Sequence, residues 1–509
     1  MKLARVLAPV VVAAACATGG AKSAPGAMGG AQANAPVGAP IQIVTRAQLR
    51  REIDSMVAQR EFRNAHFGVL VVDPEKGDTL YSLNAGKLFM PASNMKIVTG
   101  ATSLAQLGAD YTYRTTFEAA GYMKHDTLEG ALIVTGRGDP TISDHMRGDA
   151  MKPFYDIADS LRAHGITAIT DGIRAGPDVF PDTTIGFGWS WDDLGEDYGA
   201  GVDALYFNEG FGTLVAYGKV GMAPDSLVTS PSRSYPFVLG ISKNSPADTG
   251  AVRLAFNQFR NAFILRGKLK TPTDTIIYVY PDFHRSYLVA LSEALRSRGI
   301  GIGRGLWGSN GTDAVPYDPA KMRALFVVHS LPLRDILPAL EKPSQNQIAE
   351  ILYKTLGLEK TGTGSADSGR VVIERQLASW GAQPDGYLIR DGSGLSRYDY
   401  VSPETLVRVL DKIRADTAFQ VFYNALPIAG VDGSLEHRMR GTAAVGKIHA
   451  KTGSIANARS LSGYAITADS HMLIFSLLAN NWITKQSAVD SVQNRIAVLL
   501  ASLKLRDGQ

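Results

Sequence analysis

Cysteine is nearly missing from this 509-residue chain: Cys16 is the only one. An internal disulfide is therefore excluded, and so is a metal site built on several thiolates. The nine histidines are scattered, with no pair at the His-x-x-x-His spacing of a helical metal site. No metal and no cofactor is expected. Gly-x-Ser-x-Gly does not occur either, which argues against the strand-to-helix nucleophile turn of the α/β hydrolases. After the N-terminus no apolar run is long enough to cross a bilayer as a helix. An excess of one charge is also lacking. The net charge is +4, with acids and bases interspersed, which argues against a nucleic-acid partner. With 45% hydrophobic and 20% charged residues, the composition is globular, and the length predicts two or three domains.

The first residues have the pattern of an export signal. Lys2 and Arg5 form a short positive segment, and residues 6–15 are apolar but too short to span a membrane. Ala13-Ala14-Ala15-Cys16 resembles a bacterial lipoprotein cleavage box, with Ala13 where such boxes usually carry Leu. Two readings stay open: lipidation of Cys16, giving a membrane tether, or ordinary cleavage nearby with Cys16 incidental. Residues 1–15 are assigned as signal and 16–45, rich in Ala, Gly and Pro, as a flexible linker. The expected location is outside the cytoplasm, in the periplasm or cell envelope.

Beyond the linker, periodicity predicts a helix over 46–59 and strands over 66–72 and 79–83 around an Asp73-Pro74-Glu75-Lys76-Gly77-Asp78 turn. Met95, Val98, Leu104 and Leu107 fall at helical spacing, so Ser93 should sit in the first turn of a helix over 93–107. Residues 113–316 are dense in Gly, Pro, Asp and Thr, with short strand-like runs at 132–135 and 275–280; we assign them as inserted β-rich domains. Helices are expected at 331–340, 345–356, 368–380 and 403–413. Strands follow at 447–451, 460–466 and 472–479, then a closing helix over 487–503. The chain thus divides into 46–112, an insert of 113–316, and 317–509.

Chemistry concentrates in three short motifs. Ser93-Asn94-Met95-Lys96 is the sole Ser-x-x-Lys. Residues three apart share a helix face, so the Lys96 amine can reach the Ser93 hydroxyl. Serine needs a base to become a nucleophile. Lysine serves only when neutral, which requires burial and a nearby second cation. Lys451-Thr452-Gly453-Ser454 supplies that cation from an expected strand. Thr452 and Ser454 place hydroxyls on one side, and Gly453 removes bulk where an extended substrate would lie. The backbone N–H groups of Ser93 and Ser454 form a candidate oxyanion hole. Ser344-Gln345-Asn346, just before a helix, offers a hydroxyl for proton relay and an amide for the substrate backbone. Three further triplets are rejected on context. Ser82-Leu83-Asn84 precedes Ser93, and Ser242-Lys243-Asn244 sits in an irregular part of the insert. Lys360-Thr361-Gly362 is expected to follow a helix end into a loop. His449 shares a strand face with Lys451, as a cleft residue or, more plainly, an edge histidine.

Ser-x-x-Lys, Ser-x-Asn and Lys-Thr-Gly in that order form the penicillin-binding and β-lactamase set. The chain after about Arg46 resembles the D-alanyl-D-alanine carboxypeptidase/endopeptidase family, the low-molecular-mass class C penicillin-binding proteins. Phe89-Met90-Pro91-Ala92, Gly136-Arg137-Gly138-Asp139-Pro140-Thr141, Trp189-Ser190-Trp191-Asp192-Asp193, Asp391-Gly392-Ser393-Gly394-Leu395-Ser396-Arg397 and Leu426-Pro427-Ile428-Ala429-Gly430-Val431-Asp432-Gly433 carry the likeness. Gln345 departs from the usual Asp. The resemblance implies an α+β multidomain fold. Its penicillin-binding/β-lactamase-like peptidase domain, an antiparallel sheet flanked by helices, would be split by the insert. It implies an acyl-enzyme on Ser93, with Lys96, Ser344, Asn346 and Lys451 as catalytic residues and Thr452, Gly453 and Ser454 against the substrate. Peptidoglycan peptides are the implied partners and β-lactams the implied covalent inhibitors. It also implies that Asp192 and Arg397 bind the charged end of a diaminopimelate-like side chain; the plainer readings are a surface acid and a structural ion pair. The competing functions are a β-lactam hydrolase and a catalytically silent peptidoglycan-binding protein. The oligomeric state is not legible.

Overall fold

The computed structural model describes residues 44–233, 239–241, 250–257, 262–303 and 317–505. The export signal, Cys16, nearly all of the linker and the triplet Ser242-Lys243-Asn244 lie outside the described residues.

Five antiparallel strands form one sheet in the order Ile448–Ile455, Ala458–Ile466, Met472–Asn480, His66–Asp73, Asp78–Leu83. The two segments that flank the insert meet in it, where His66 pairs with Asn480 and Val72 with Ile474. Ala458–Ile466 is buried at every position but the last, as expected of a strand covered on both faces. The two-residue side-chain period sorts its neighbours. Val69, Val71, Leu473 and Phe475 pack with the helices Arg46–Val57 and Gln486–Ser502. Leu70, Ile474, Leu478 and Tyr464 pack with Met95–Leu107 and Pro403–Arg414 on the other face. Met95–Leu107 is buried without a break from Met95 to Leu104. It is a core helix, and its first turn faces the sheet edge that carries Lys451.

Between these halves lie a six-stranded mixed sheet and two three-stranded sheets. The expected boundary at residue 316 is too early. Strand Met322–His329 pairs antiparallel with Arg114–Lys124 and so completes the six-stranded sheet of the insert. That pairing spans some two hundred residues of chain, which local texture does not register. The insert also holds helices Lys152–Ala163 and Phe283–Ser297, joined by an edge-to-face contact of Phe154 and Tyr287 at 4.8 Å. A second correction concerns Lys360. The helix Asn346–Thr361 runs past it, and Gly362 closes the helix at φ +81° with its N–H on Leu358 O. Lys360 is thus an exposed residue of a last helical turn, not part of a loop.

Candidate active site

Ser93 is held in a strained turn. The short 3-10 turn Ala92–Asn94 leads into the helix that begins at Met95, so Ser93 stands just ahead of the α-helix rather than in its first turn. Ala92 has φ +48°, a costly value for a residue with a Cβ. The surroundings fix it. Asn480 accepts from Met90 N at 2.8 Å and donates back to Met90 O at 3.2 Å. The Ser460 hydroxyl donates to Pro91 O at 2.6 Å. Asn94, the second residue of the Ser-x-x-Lys motif, donates its amide to Lys451 O at 2.8 Å. The turn that holds Ser93 is therefore tied to the strand Ile448–Ile455, and Asn94 is a residue that the sequence pattern did not single out.

Lys96 is fully buried. Its Nζ lies 3.0 Å from Ser93 Oγ, 2.6 Å from Asn346 Oδ1 and 2.8 Å from Ser393 O. Two of these partners can only accept. A neutral amine has two N–H donors and one lone pair. Given to the two carbonyl-type oxygens, those donors leave the lone pair for the Ser93 hydroxyl proton. Burial first, and then the Lys451 ammonium, bring the Lys96 pKa down to about 7, against the pull of Asp391, Glu341 and Glu350. The second cation expected from the sequence thus acts, but desolvation is the larger cause.

Ser393 O is aimed by a built loop. Glu350 accepts from the N–H groups of Gly392 at 3.1 Å and Ser393 at 2.8 Å. Asp391 accepts from Gly394 N at 2.6 Å, Ser396 N at 2.7 Å and the Trp189 indole at 2.9 Å. The Asp391–Ser396 run thereby positions a carbonyl against the Lys96 amine, a role its sequence does not reveal.

Lys451 is also fully buried, with Nζ donating to Thr452 O at 3.1 Å. Thr452 Oγ1 and Ser434 Oγ lie 2.6 Å apart, which brings a serine from the Asp432-Gly433 turn to the cleft. Ser454 is exposed on the same strand. Gly453 has a second reason to lack a side chain. A Cβ there would overlap the Ser460 hydroxyl and stand 2.8 Å from Pro91 O and 3.0 Å from the Ser93 nitrogen. The missing side chain makes room for the turn that holds Ser93. Gly453→Ala is expected to push that turn and lower penicillin acylation at least tenfold, at about 1–3 kcal/mol of overpacking. Stopped-flow acylation beside a melting curve checks it, and unchanged acylation would refute the clearance role.

Asn346 opens the helix Asn346–Thr361. Its Oδ1 takes the Lys96 hydrogen bond and its Nδ2 donates to Tyr198 O at 2.8 Å, leaving one amide hydrogen for a substrate. Gln345 caps the helix by accepting from Gln347 N at 2.8 Å and donates to Glu209 Oε2 at 2.6 Å. The departure from Asp is thus absorbed away from the nucleophile. Ser344 is half-buried in the turn before, at φ +68°. Among the described residues no hydrogen bond joins its hydroxyl to Ser93 or Lys96. Asp192 is exposed in the turn Trp191–Asp193. Arg397 is exposed and reaches Ala456 O at 3.4 Å; no ion pair joins either residue to another described side chain. His449 is buried and stacks on Tyr423 at 4.0 Å, so it is a packed residue of the edge strand Ile448–Ile455. Sequence reasoning also missed Glu341, a fully buried carboxylate neighbouring both lysines.

Among the described residues no group of three or more His, Cys, Asp or Glu is arranged to hold a metal ion. The profile of the D-Ala-D-Ala carboxypeptidase 3 (S13) family matches residues 49–503. A D-alanyl-D-alanine carboxypeptidase of Actinomadura sp. is 31% identical over 468 residues, covering 89% of this chain and 84% of that protein. The D-alanyl-D-alanine carboxypeptidase DacB of Haemophilus influenzae is 24% identical over 452 residues, covering 84% and 88%. The crystal structure of penicillin binding protein 4 from Haemophilus influenzae superposes with a TM-score of 0.73 at 20% identity. It covers 87% of this chain and 98% of that one, which makes the fold a shared one.

Proposed function

Because the chain belongs to the D-Ala-D-Ala carboxypeptidase 3 (S13) family, we propose that Ser93 is the acylated serine of this carboxypeptidase and Lys96 its base. The three contacts of the Lys96 amine, at 3.0, 2.6 and 2.8 Å, carry the reading. Ser93 Oγ attacks the carbonyl of the penultimate D-alanine as its proton passes to Lys96. The tetrahedral oxygen is held by the backbone N–H groups of Ser93 and Ser454. Collapse expels the terminal amine, which takes a proton by way of Ser344 and Lys451. Water then hydrolyses the ester, with Lys96 again as base. Lys451, Thr452 and the free hydrogen of Asn346 hold the substrate carboxylate and backbone. The same attack on a β-lactam traps Ser93; a Haemophilus influenzae relative with this fold is complexed with a β-lactam.

Peptidoglycan stem peptides are the substrates, and cross-links are cut by the same attack. Asp192 and Arg397, exposed and not ion-paired among the described residues, receive the charged end of a diaminopimelate-like side chain. Such substrates lie outside the cytoplasm, which agrees with the export signal at residues 1–15; a lipidated Cys16 would tether the enzyme there.

Mass spectrometry of products from muropeptides is the test, with and without penicillin and with Asp192→Ala. Loss of terminal D-alanine, blocked by penicillin, is expected. Asp192→Ala should weaken cleavage of diaminopimelyl peptides more than of simple D-alanyl dipeptides. Rapid turnover of penicillin with free enzyme recovered would replace this reading with a β-lactam hydrolase. An unlabelled Ser93 would leave a silent binding protein.

A further inference from the structure

We infer that Glu209, from the inserted part of the chain, is a positioning residue: its carboxylate holds the Ser344-Gln345-Asn346 turn in place through the Gln345 amide. The inference rests on the proposed pairing of Ser93 and Lys96. Glu209 stands in the turn Asn208–Gly210 and is only 7% exposed. Its Oε1 lies 2.8 Å from His145 Nδ1, and its Oε2 accepts from Gln345 Nε2 at 2.6 Å. An ionised carboxylate can only accept, so His145 carries its proton on Nδ1. The Gln345 amide has no freedom to turn over. Its Oε1 accepts from Gln347 N at 2.8 Å, which leaves Nε2 for Glu209.

Both ends of this contact stand on strained backbone. Asn208 has φ +46°, Glu209 +57° and Ser344 +68°, values that persist only where the surroundings fix them. On the insert side Asn208 does the fixing. Its Oδ1 accepts from Asp144 N at 3.0 Å and its Nδ2 donates to Phe211 O at 2.8 Å. On the other side Gln345 N donates to Leu340 O at 2.9 Å, and the Gln345 side chain is tied to Glu209.

The next two residues repeat the pattern. Asn346 Nδ2 donates to Tyr198 O at 2.8 Å, and Gln347 Nε2 donates to Asp197 O at 2.8 Å and Ala200 O at 3.0 Å. Three successive side-chain amides thus end on the insert. Only the one from Gln345 meets a carboxylate, and a hydrogen bond to a charged partner is the stronger kind. Two functional groups flank it. Ser344, to whose hydroxyl the proton relay is assigned, comes just before. Asn346, whose Oδ1 takes the Lys96 amine at 2.6 Å, comes just after. With Gln345 released, the turn can relax from its positive φ, and both groups move with it.

The test reverses the polarity of the contact. Glu209→Gln sets amide against amide, and Gln345→Glu sets carboxylate against carboxylate. Combined, the two substitutions restore one donor and one acceptor, and still leave an oxygen for His145 Nδ1 and another for Gln347 N. Each single substitution should slow acylation of Ser93 at saturating fluorescent penicillin by about tenfold or more, the scale of a lost bond to a charged group, while all of the enzyme is still labelled at long times. The combination should return to within about threefold of wild type. If Glu209→Gln does not fold, Gln345→Ala takes its place and should show the same slow but complete labelling. Single variants that acylate at the wild-type rate would overturn the inference. So would a combination no faster than the slower single variant, or a wild-type rate with only a fraction of the enzyme labelled, which would leave Glu209 merely structural. A wild type that takes up no penicillin at Ser93 would instead bring down the reading of Ser93 and Lys96, and the inference with it.

Discussion

Lys96→Ala is expected to slow acylation of Ser93 by about 10³ to 10⁴-fold, the upper range for removal of a positioned base. Among the described residues the amine is the one side chain hydrogen-bonded to Ser93 Oγ, at 3.0 Å. Its removal also leaves Asn346 Oδ1 and Ser393 O without the donor that orders them. Stability should not follow activity. A buried lysine costs desolvation, so Lys96→Met, which keeps the bulk, should melt no lower than the wild type while losing as much rate. Lys96→Arg should be as poor as alanine, since a guanidinium does not release its proton in a protein. The wild-type rate should rise through pH 7 and fall about tenfold per unit below it. The active form is the neutral amine, whose pKa lies near 7. Stopped-flow acylation by a fluorescent penicillin measures all of this. A variant within tenfold of wild type would dismiss Lys96 as the base.

Lys451→Ala should lower kcat/KM by about 10² to 10³-fold, on the scale of removing one member of a buried charge pair at 2–5 kcal/mol. Two losses combine: the cation that draws in a substrate carboxylate, and the charge that helps depress Lys96. The second has its own signature. With Lys451 gone, the acid limb moves to higher pH, because Lys96 keeps its proton longer. Lys360→Ala is the internal control. The second Lys-Thr-Gly lies in an exposed last helical turn, so its loss should be nearly silent. Comparable losses at both positions would show that the wrong triplet was chosen.

Strands and helices of the peptidase half were legible because their signals are local. The run Met472–Asn480 is apolar except at Ser476 and Asn480, Met95–Leu107 repeats at helical spacing, and Pro403 opens a helix behind the Ser402 cap. The insert was less legible. Its strand Met322–His329 has no fully buried residue, which suits an edge, and its partner lies two hundred residues earlier. The same distance hid Asn480, which pins Met90 across 390 residues, and Ser393, whose carbonyl meets Lys96 across 297.

By itself the sequence determined the candidate reactive groups and their order along the chain: Ser93 and Lys96 three residues apart, an amide at 346 before a helix, a lysine at 451 in a strand. Those facts depend on neighbours within a few residues, where spacing dictates which side chains share a face. Only the tertiary structure decided which donors surround the Lys96 amine, that Gly453 yields to the turn that holds Ser93, and that Glu341 lies buried beside both lysines. Each depends on desolvation and on contacts between distant segments, and neither quantity exists until the chain has closed on itself.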